Sequence, residues 1–253
     1  MSGPPALEVK NGIVLVGSDL HLWPGAESTA LRGFKKFCKE LQPKAVILNG
    51  DVLDFCGISR HPPMKWEVLP TPVEEIEAAQ YHLHQIVEAS PRGCRKIWTL
   101  GNHDARFEMR LATVAREFCN LSGIHLHDHF PLWERGWSCE INNKDIVVKH
   151  RYKGGAHATY NNTLHSGVTT ITGHLHSAMV RQFTDYRGTR WGVDTGCMAE
   201  TDHPAFNYTE DNPKNWVSAF GVLTFKDGKL LWPELVTKYD TDSMQWRGKI
   251  FKV

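Results

Sequence analysis

The chain has 253 residues, 41% of them hydrophobic and 23% charged, with a formal net charge of +1. That length suits one large domain or two small ones with a substantial core. The near-neutral balance excludes a global field that steers the protein to nucleic acid or a membrane surface, though not a local one. Six cysteines, at 38, 56, 94, 119, 139 and 197, form no C-x-x-C pair and read as reduced, mostly buried thiols of a cytoplasmic protein. Met1 to Pro5 carry neither a basic nor an apolar leader region, and no run of about 18 apolar residues is present, so neither a signal peptide nor a membrane partner is expected.

Ile13 to Val16 is a short apolar run that reads as a buried strand and ends at Gly17-Ser18-Asp19. Leu31, Phe34, Cys38 and Leu41 then recur at helical spacing, with Ser28 or Thr29 as cap and Pro43 as stop. Ala45 to Leu48 is a second strand running into Gly50-Asp51. The stretch from Phe55 to Pro70 holds three prolines, Arg60, His61, Met64 and Trp66, and reads equally as a functional lid or a self-packed insertion. Thr71-Pro72-Val73-Glu74 is a capping box for a helix to Ala89, with Ile76, Ala79, Leu83 and Ile86 inward. Lys96 to Leu100 is a third strand. A helix with Phe107, Leu111, Val114 and Phe118 on one face follows it. The first half thus reads β-α-β-α-β-α, a mainly parallel sheet flanked by helices.

After Gly123 the pattern changes. His125, His127 and His129 alternate with Leu126 and Asp128, which reads as an edge strand with a His-rich solvent face rather than a metal site. Asp145 to Lys149 and Val168 to Thr172 are strands, with a polar segment, helical to about His165, between them. Turn signals at Tyr186–Thr189 and Lys226–Lys229 mark antiparallel hairpins, and Glu200 to Asn215 is acidic and loop-like. No composition break demands a second domain, so residues 1–253 are expected to form one.

Asp19, Asp51, Asn102, His150 and His174 each follow a run read as a strand. In open α/β sheets function collects at the carboxyl ends of strands. Singly each motif is weak; as a set they occupy the same position relative to their strands. Mixed carboxylate, imidazole and amide ligands suit Mn, Fe, Zn, Co or Ni ions. Seven such residues exceed what one tetrahedral ion needs and match two ions sharing a ligand, the usual arrangement for displacement at phosphorus. Two divalent ions bring +4, offset only by Asp19 and Asp51, which favours an anionic substrate.

The ordered set Asp19-x-His21, Gly50-Asp51-x-x-Asp54, Gly101-Asn102-His103-Asp104, His150 and Gly173-His174-x-His176 resembles the calcineurin-like metallophosphoesterases over residues 13–176. Ser18 stands where the family usually has Gly before the first Asp, and Lys149 where it has Gly before His150. The resemblance implies an α/β fold of the metallophosphoesterase β-sandwich type, with two mixed sheets flanked by helices and antiparallel hairpins at the C-terminus. It implies one ion on Asp19, His21 and His176, and a second on Asn102, His150 and His174. Asp51 and a water or hydroxide would bridge them. Manganese is the expected metal, with Fe, Zn, Ni, Co and Mg as the other candidates. His103 would protonate the departing oxygen or hold the phosphate, Asp54 would orient His103, and Asp104 would cap the helix that starts at Ala105.

The substrate is less legible. The Asp-Arg-Gly and Asn-His-Glu extensions of Ser/Thr protein phosphatases are absent, because Phe55 and Asp104 stand there. Arg60, His61, Arg106, Arg151 and Tyr152 are candidates to grip phosphate or sugar, and Trp66, Trp191 and Trp216 to stack a base. From Lys144 to Arg190 seven Lys/Arg face two Asp. These features favour a phosphodiester of a nucleotide or nucleic acid. A monoesterase of a small metabolite and a non-catalytic scaffold are the alternatives.

Overall fold

The computed structural model describes residues 3–61, 66 and 68–253. In chain order the elements are β1 (Ala6–Leu7), β2 (Gly12–Gly17), α1 (Thr29–Leu41), β3 (Ala45–Asn49), α2 (Pro72–Ala89), β4 (Arg95–Thr99) and α3 (Ala105–Val114). Then come β5 (Glu134–Gly136), β6 (Cys139–Ile141), β7 (Ile146–Val148), α4 (Ala158–Ser166), β8 (Thr169–Thr172), β9 (Ala178–Asp185) and β10 (Gly188–Thr195). The chain closes with β11 (Ala219–Lys226), β12 (Lys229–Leu230), β13 (Glu234–Asp240), β14 (Ser243–Trp246) and β15 (Lys249–Lys252).

They form two mixed sheets. One has the order β15-β14-β13-β11-β2-β3-β4-β5, with β12 beside β11. Its β2 to β5 half is parallel and β11 joins β2 antiparallel. The other has the order β1-β6-β7-β8-β10-β9. Alternation along the strands explains the continuous apolar runs. Val14 and Val16 of β2, Ala45 and Ile47 of β3 and Ile97 of β4 face a core shared with Ile146, Val148, Ile171 and Val193 of the second sheet. Leu15, Val46, Leu48 and Trp98 face the opposite way, onto Phe34 of α1 and Leu83 of α2. Strands buried on both faces need no polar alternation. The helix α4 covers β8, β9 and β10 on the far side.

Local signals act as expected at α1 and α2. Ser28 Oγ accepts from Leu31 N at 3.0 Å, and Gln42 takes the left-handed conformation ahead of Pro43. Thr71 and Glu74 form the reciprocal capping box.

Three expectations are corrected. Leu126–His129 is a 3-10 turn, not an edge strand, because Asp128 accepts from Gly123 N at 2.7 Å and closes the segment on itself. The helix after β4 stops at Val114, Phe118 falls in a separate 3-10 turn, and both are exposed. Only Phe107 of that stripe packs on the core. Trp191 packs at a tilt against Trp232, with ring centroids 4.3 Å apart, and rests on the core between the sheets, which occupies it. In the stretch from Phe55 to Pro70, Met64 lies outside the described residues and Trp66 is fully exposed. All six cysteines are free, four of them buried. Among the described residues no helix is long and apolar enough to cross a membrane.

Candidate metal centre and active site

Loops leaving β2, β3, β4, β7 and β8 meet at one end of the sandwich. They bring Asp19, His21 and His176 into one group of donor atoms and Asp51, His150 and His174 into another, with His21, Asp54 and His103 beside them. The first two loops are zipped by their backbones: Asp19 N donates to Gly50 O, His21 N to Asp51 O and Leu22 N to Val52 O, all at 2.9–3.0 Å. Asp19, His21, Asp51, His174 and His176 all take positive φ, between 41° and 73°. Non-glycine residues are uncommon there, and such conformations cluster at functional sites. Two glycines make room. A Cβ on Gly101 would stand 2.1 Å from Asp51 Oδ1, and one on Gly173 would stand 2.6 Å from Asp19 Oδ2.

The ring nitrogens carry the chemistry. His21 Nδ1 bonds Asp54 Oδ1 at 2.9 Å, and His150 Nδ1 bonds Asn49 O at 2.8 Å. Each ring is thereby oriented with Nε2 aimed inward, as partners behind metal-bound histidines do. His150 Nε2 stands 3.0 Å from Asp51 Oδ2, and His176 Nε2 stands 3.1 Å from Asp19 Oδ1. With its Nδ1 proton given to Asn49, His150 can face a carboxylate oxygen at that distance only with a cation or a second proton between them. Two ligand atoms bound at right angles to one ion at about 2.1 Å lie about 3.0 Å apart. Among the described residues seven buried side-chain atoms have no hydrogen-bond partner; three are scattered, at Arg190, Thr224 and Trp246, and four gather here: His21 Nε2, Asn102 Oδ1, His150 Nε2 and His176 Nδ1. Buried polar atoms are rarely left so, and all four belong to the candidate ligand set. The donors present therefore fit divalent cations.

The electrostatics agree. Burial alone would raise Asp19, but the charges of His176 and His150 bring it down to about 2. Asp51 is held well below the carboxylate range, His150 outweighing burial. His150 itself is pushed up to about 10, because Asp51 and Asp19 overcome its burial. The two buried carboxylates thus make the pocket favour positive charge.

His103 lies at the rim. Its Nδ1 is 2.7 Å from Asp54 Oδ1, its Nε2 is 3.8 Å from Asp51 Oδ2, and its backbone N donates to Asp51 Oδ1. Burial lowers its pKa, but the bond to Asp54 and the two carboxylate charges win and raise it. Arg106 donates to the Asp54 carbonyl at 2.8 Å and lies 3.2 Å from His103 Nε2. It thus touches the candidate acid directly. Asp54 serves two imidazoles, His21 and His103, where one was anticipated.

Asp104 does not cap α3; its side chain makes no cap bond. It accepts instead from the backbone N–H groups of Asp51, Val52, Leu53 and Gly101 and from Trp98 Nε1. It ties the loop after β3 to the loop after β4. Burial and the Asp51 charge push it up to about 6 against those donors.

The other candidates divide. The Arg151 charge lowers His174, after burial and the His150 charge, so it is felt at the site. Tyr152 lies under the ammonium groups of Lys149 and Lys153, about 5 Å from each. Arg60 and His61 are exposed, with no contact to the cluster described. Sequence reasoning missed Phe206, buried 4.9 Å from the His21 ring, because it lies in a segment read as loop. It missed Glu75 too, whose buried carboxylate accepts from Asp54 N and Phe55 N. The capping box beside Glu75 drew attention to its surface neighbour; its place one turn before Ala79 on the inward face was the available signal.

The sequence model of the family described as calcineurin-like phosphoesterase matches residues 13–178. The chain belongs to that family and is a hydrolase acting on phosphate esters. Similar solved structures include zinc-complexed Vps29 from Entamoeba histolytica, at 17% identity and TM-score 0.49, covering 95% of this chain and 98% of that one. A dimetal phosphatase from Danio rerio matches at 11% identity and TM-score 0.45, covering 91% and 96%. Nuclease MPE of Pseudomonas putida matches at 12% identity and TM-score 0.37, covering 87% and 86%. No curated protein sequence matches the chain.

Proposed function

We propose that this site holds two divalent metal ions and hydrolyses a phosphodiester of a nucleotide or nucleic acid, the whole chain acting as one domain. Asp19, His21 and His176 would hold one ion and Asn102, His150 and His174 the other, with Asp51 shared. The observation that carries this reading is the gathering at one site of four of the seven orphaned buried atoms, each of the four on a candidate ligand. When bound, such ions lower the pKa of water toward neutrality and draw off phosphate charge. Manganese suits the oxygen and imidazole donors, with Fe, Zn, Ni, Co and Mg as the alternatives.

The protein's own groups do the rest. Asp54 holds His103 through Nδ1, which leaves Nε2 as the ring atom that would give a proton to the departing oxygen once bound phosphate draws the Arg106 guanidinium off it. Arg106, 3.2 Å from that nitrogen, sets a fixed positive charge where phosphate oxygens would lie. Phe206, itself buried, packs its ring edge-on against His21 and gives that side of the site an apolar wall. The basic stretch 144–190 and the aromatic residues at the site favour a diester of a nucleotide.

The test is hydrolysis of bis-p-nitrophenyl phosphate against p-nitrophenyl phosphate with Mn added, for wild type and Asp51→Asn. Dominant diester cleavage that disappears in the variant is expected. Dominant monoester cleavage would move the reading to a phosphatase, and no turnover of either with metal bound would overturn the enzymatic assignment for these substrates.

A further inference from the structure

A hollow of about 290 Å³ opens beside the candidate centre, bounded by Gly155, Ala158, Thr159, Leu175, Met179 and Trp216. It adjoins the site through two of its walls. Leu175 is the residue between His174 and His176, and the Trp216 ring centroid is 4.4 Å from that of His176. Trp216 is a fixed wall, since edge contacts with His176 and with Phe206 at 5.0 Å hold its ring. The Thr159 hydroxyl is spent on the Met179 sulfur at 3.2 Å, which leaves that side of the lining apolar.

Two polar groups interrupt the apolar lining. Ser177 Oγ donates to Asp194 Oδ2, so its oxygen lone pairs remain to accept. Asn215 contributes a carboxamide, both donor and acceptor. An aromatic wall, an apolar body and a few convergent hydrogen-bonding groups are what a small-molecule pocket offers. The volume lies at the low end of such pockets, about 300–1,000 Å³, the scale of one nucleoside and far below a duplex. An alkyl chain would cover the Asn215 carboxamide and the remaining Ser177 lone pairs without pairing them, which costs binding energy. A planar heteroaromatic ring gives them an edge to meet and gives Trp216 a face or edge to pack against.

We infer that this hollow receives the nucleobase attached to the phosphate ester that the site binds. The inference rests on the phosphate-binding reading of the adjoining site and adds the chemistry of the group beside the phosphate. The loop 151–155 leads from the Arg151 charge to the hollow's mouth at Gly155 and so links the two subsites.

The test is calorimetric titration of the Mn-loaded protein with adenosine 5′-monophosphate and with ribose 5-phosphate, which share the phosphate and sugar and differ by the base. Adenosine 5′-monophosphate is expected to bind about tenfold more tightly or better. Trp216→Ala removes the wall, and Ala156→Trp, on the exposed mouth, fills the space. Each is expected to reduce the preference toward equality. Equal affinities in the wild type, no binding of adenosine 5′-monophosphate at millimolar concentration, or a preference that survives in both variants would overturn the inference. Turnover of phosphate esters with equal binding of the two ligands would sink this inference alone. A base preference lost in the variants, without turnover of any ester, would sink only the enzymatic reading.

Discussion

Asp104→Asn is the substitution whose effect the structure specifies most fully. Asp104 Oδ1 accepts from Val52 N at 2.9 Å and Leu53 N at 3.2 Å; Oδ2 accepts from Asp51 N at 2.9 Å, Gly101 N at 2.8 Å and Trp98 Nε1 at 3.0 Å. Asparagine retains one oxygen. In its better orientation it serves the three donors on the Oδ2 side and turns an NH₂ group toward Val52 N and Leu53 N. Losing hydrogen bonds to a charged acceptor costs about 1.5–3 kcal/mol each, so the two together cost about 3–6 kcal/mol. In a chain of this size each kcal/mol shifts the melting temperature by about 2–4 °C, which gives a fall of at least about 6 °C. Asp104→Ala strands all five donors, a loss comparable with a whole domain's stability of about 5–15 kcal/mol. The assay is urea unfolding followed by tryptophan fluorescence, with thermal melts in parallel. A loss below about 1 kcal/mol for Asp104→Asn would refute the claim that this carboxylate ties the two loops together.

Other outcomes follow from the same geometry. Burial, aided by the Asp54 charge and opposed by the N–H groups of Phe55 and Asp54, pushes Glu75 from its ordinary 4.5 to about 7. The folded chain then keeps a proton that the unfolded chain releases, so this group's contribution is full below pH 4.5 and is lost as pH rises toward 7. The difference corresponds to roughly 3 kcal/mol. Glu75→Gln keeps an acceptor for both N–H groups and is expected to flatten the dependence of unfolding free energy on pH between 4.5 and 7; an unchanged slope would exclude Glu75 as its source. His103→Ala is expected to lower kcat by about 10²–10⁴ with metal content unchanged, measured as turnover and as bound metal on the same sample. Equal losses in metal content would make His103 a ligand instead. Gly101→Ala drives a Cβ into Asp51 and is expected to weaken metal binding at least as much as it lowers stability; wild-type metal affinity would mean that the loop yields.

Much of the fold was legible because burial and turn chemistry acted locally. The runs at β2, β3 and β4 lie buried on both faces, and the capping box at Thr71 is closed as its residues suggest. Where several contacts compete, the sequence spoke less clearly. The His-x-His-x-His alternation gave way to a turn because Asp128 reaches back to Gly123, and period-2 spacing carries no record of that bond. Asp104 occupies a helix-start position, but the loop after β3 offers it three donors that no local pattern displays. The structure also gathers Asp19, His21, Asp51, His150, His174 and His176, whose shared position after strands was visible. What sequence could not show is the shell behind them: Asn49 O on His150, Glu75 under Asp54, and Phe206 and Trp216 against His21 and His176. Those contacts join elements up to 185 residues apart in the chain, Phe206 being farthest from His21.

The measurement that bears most directly on the central claim is metal stoichiometry. Chelator-stripped protein is titrated calorimetrically with Mn²⁺, and the bound metal is counted by elemental analysis after desalting. Two ions per chain are expected for the wild type, with fewer retained by Asp51→Asn and a matching loss of hydrolysis. One ion or none, or two retained regardless of the variants at Asp51, His150 and His176, would contradict the assignment of this cluster as a dinuclear phosphoesterase centre.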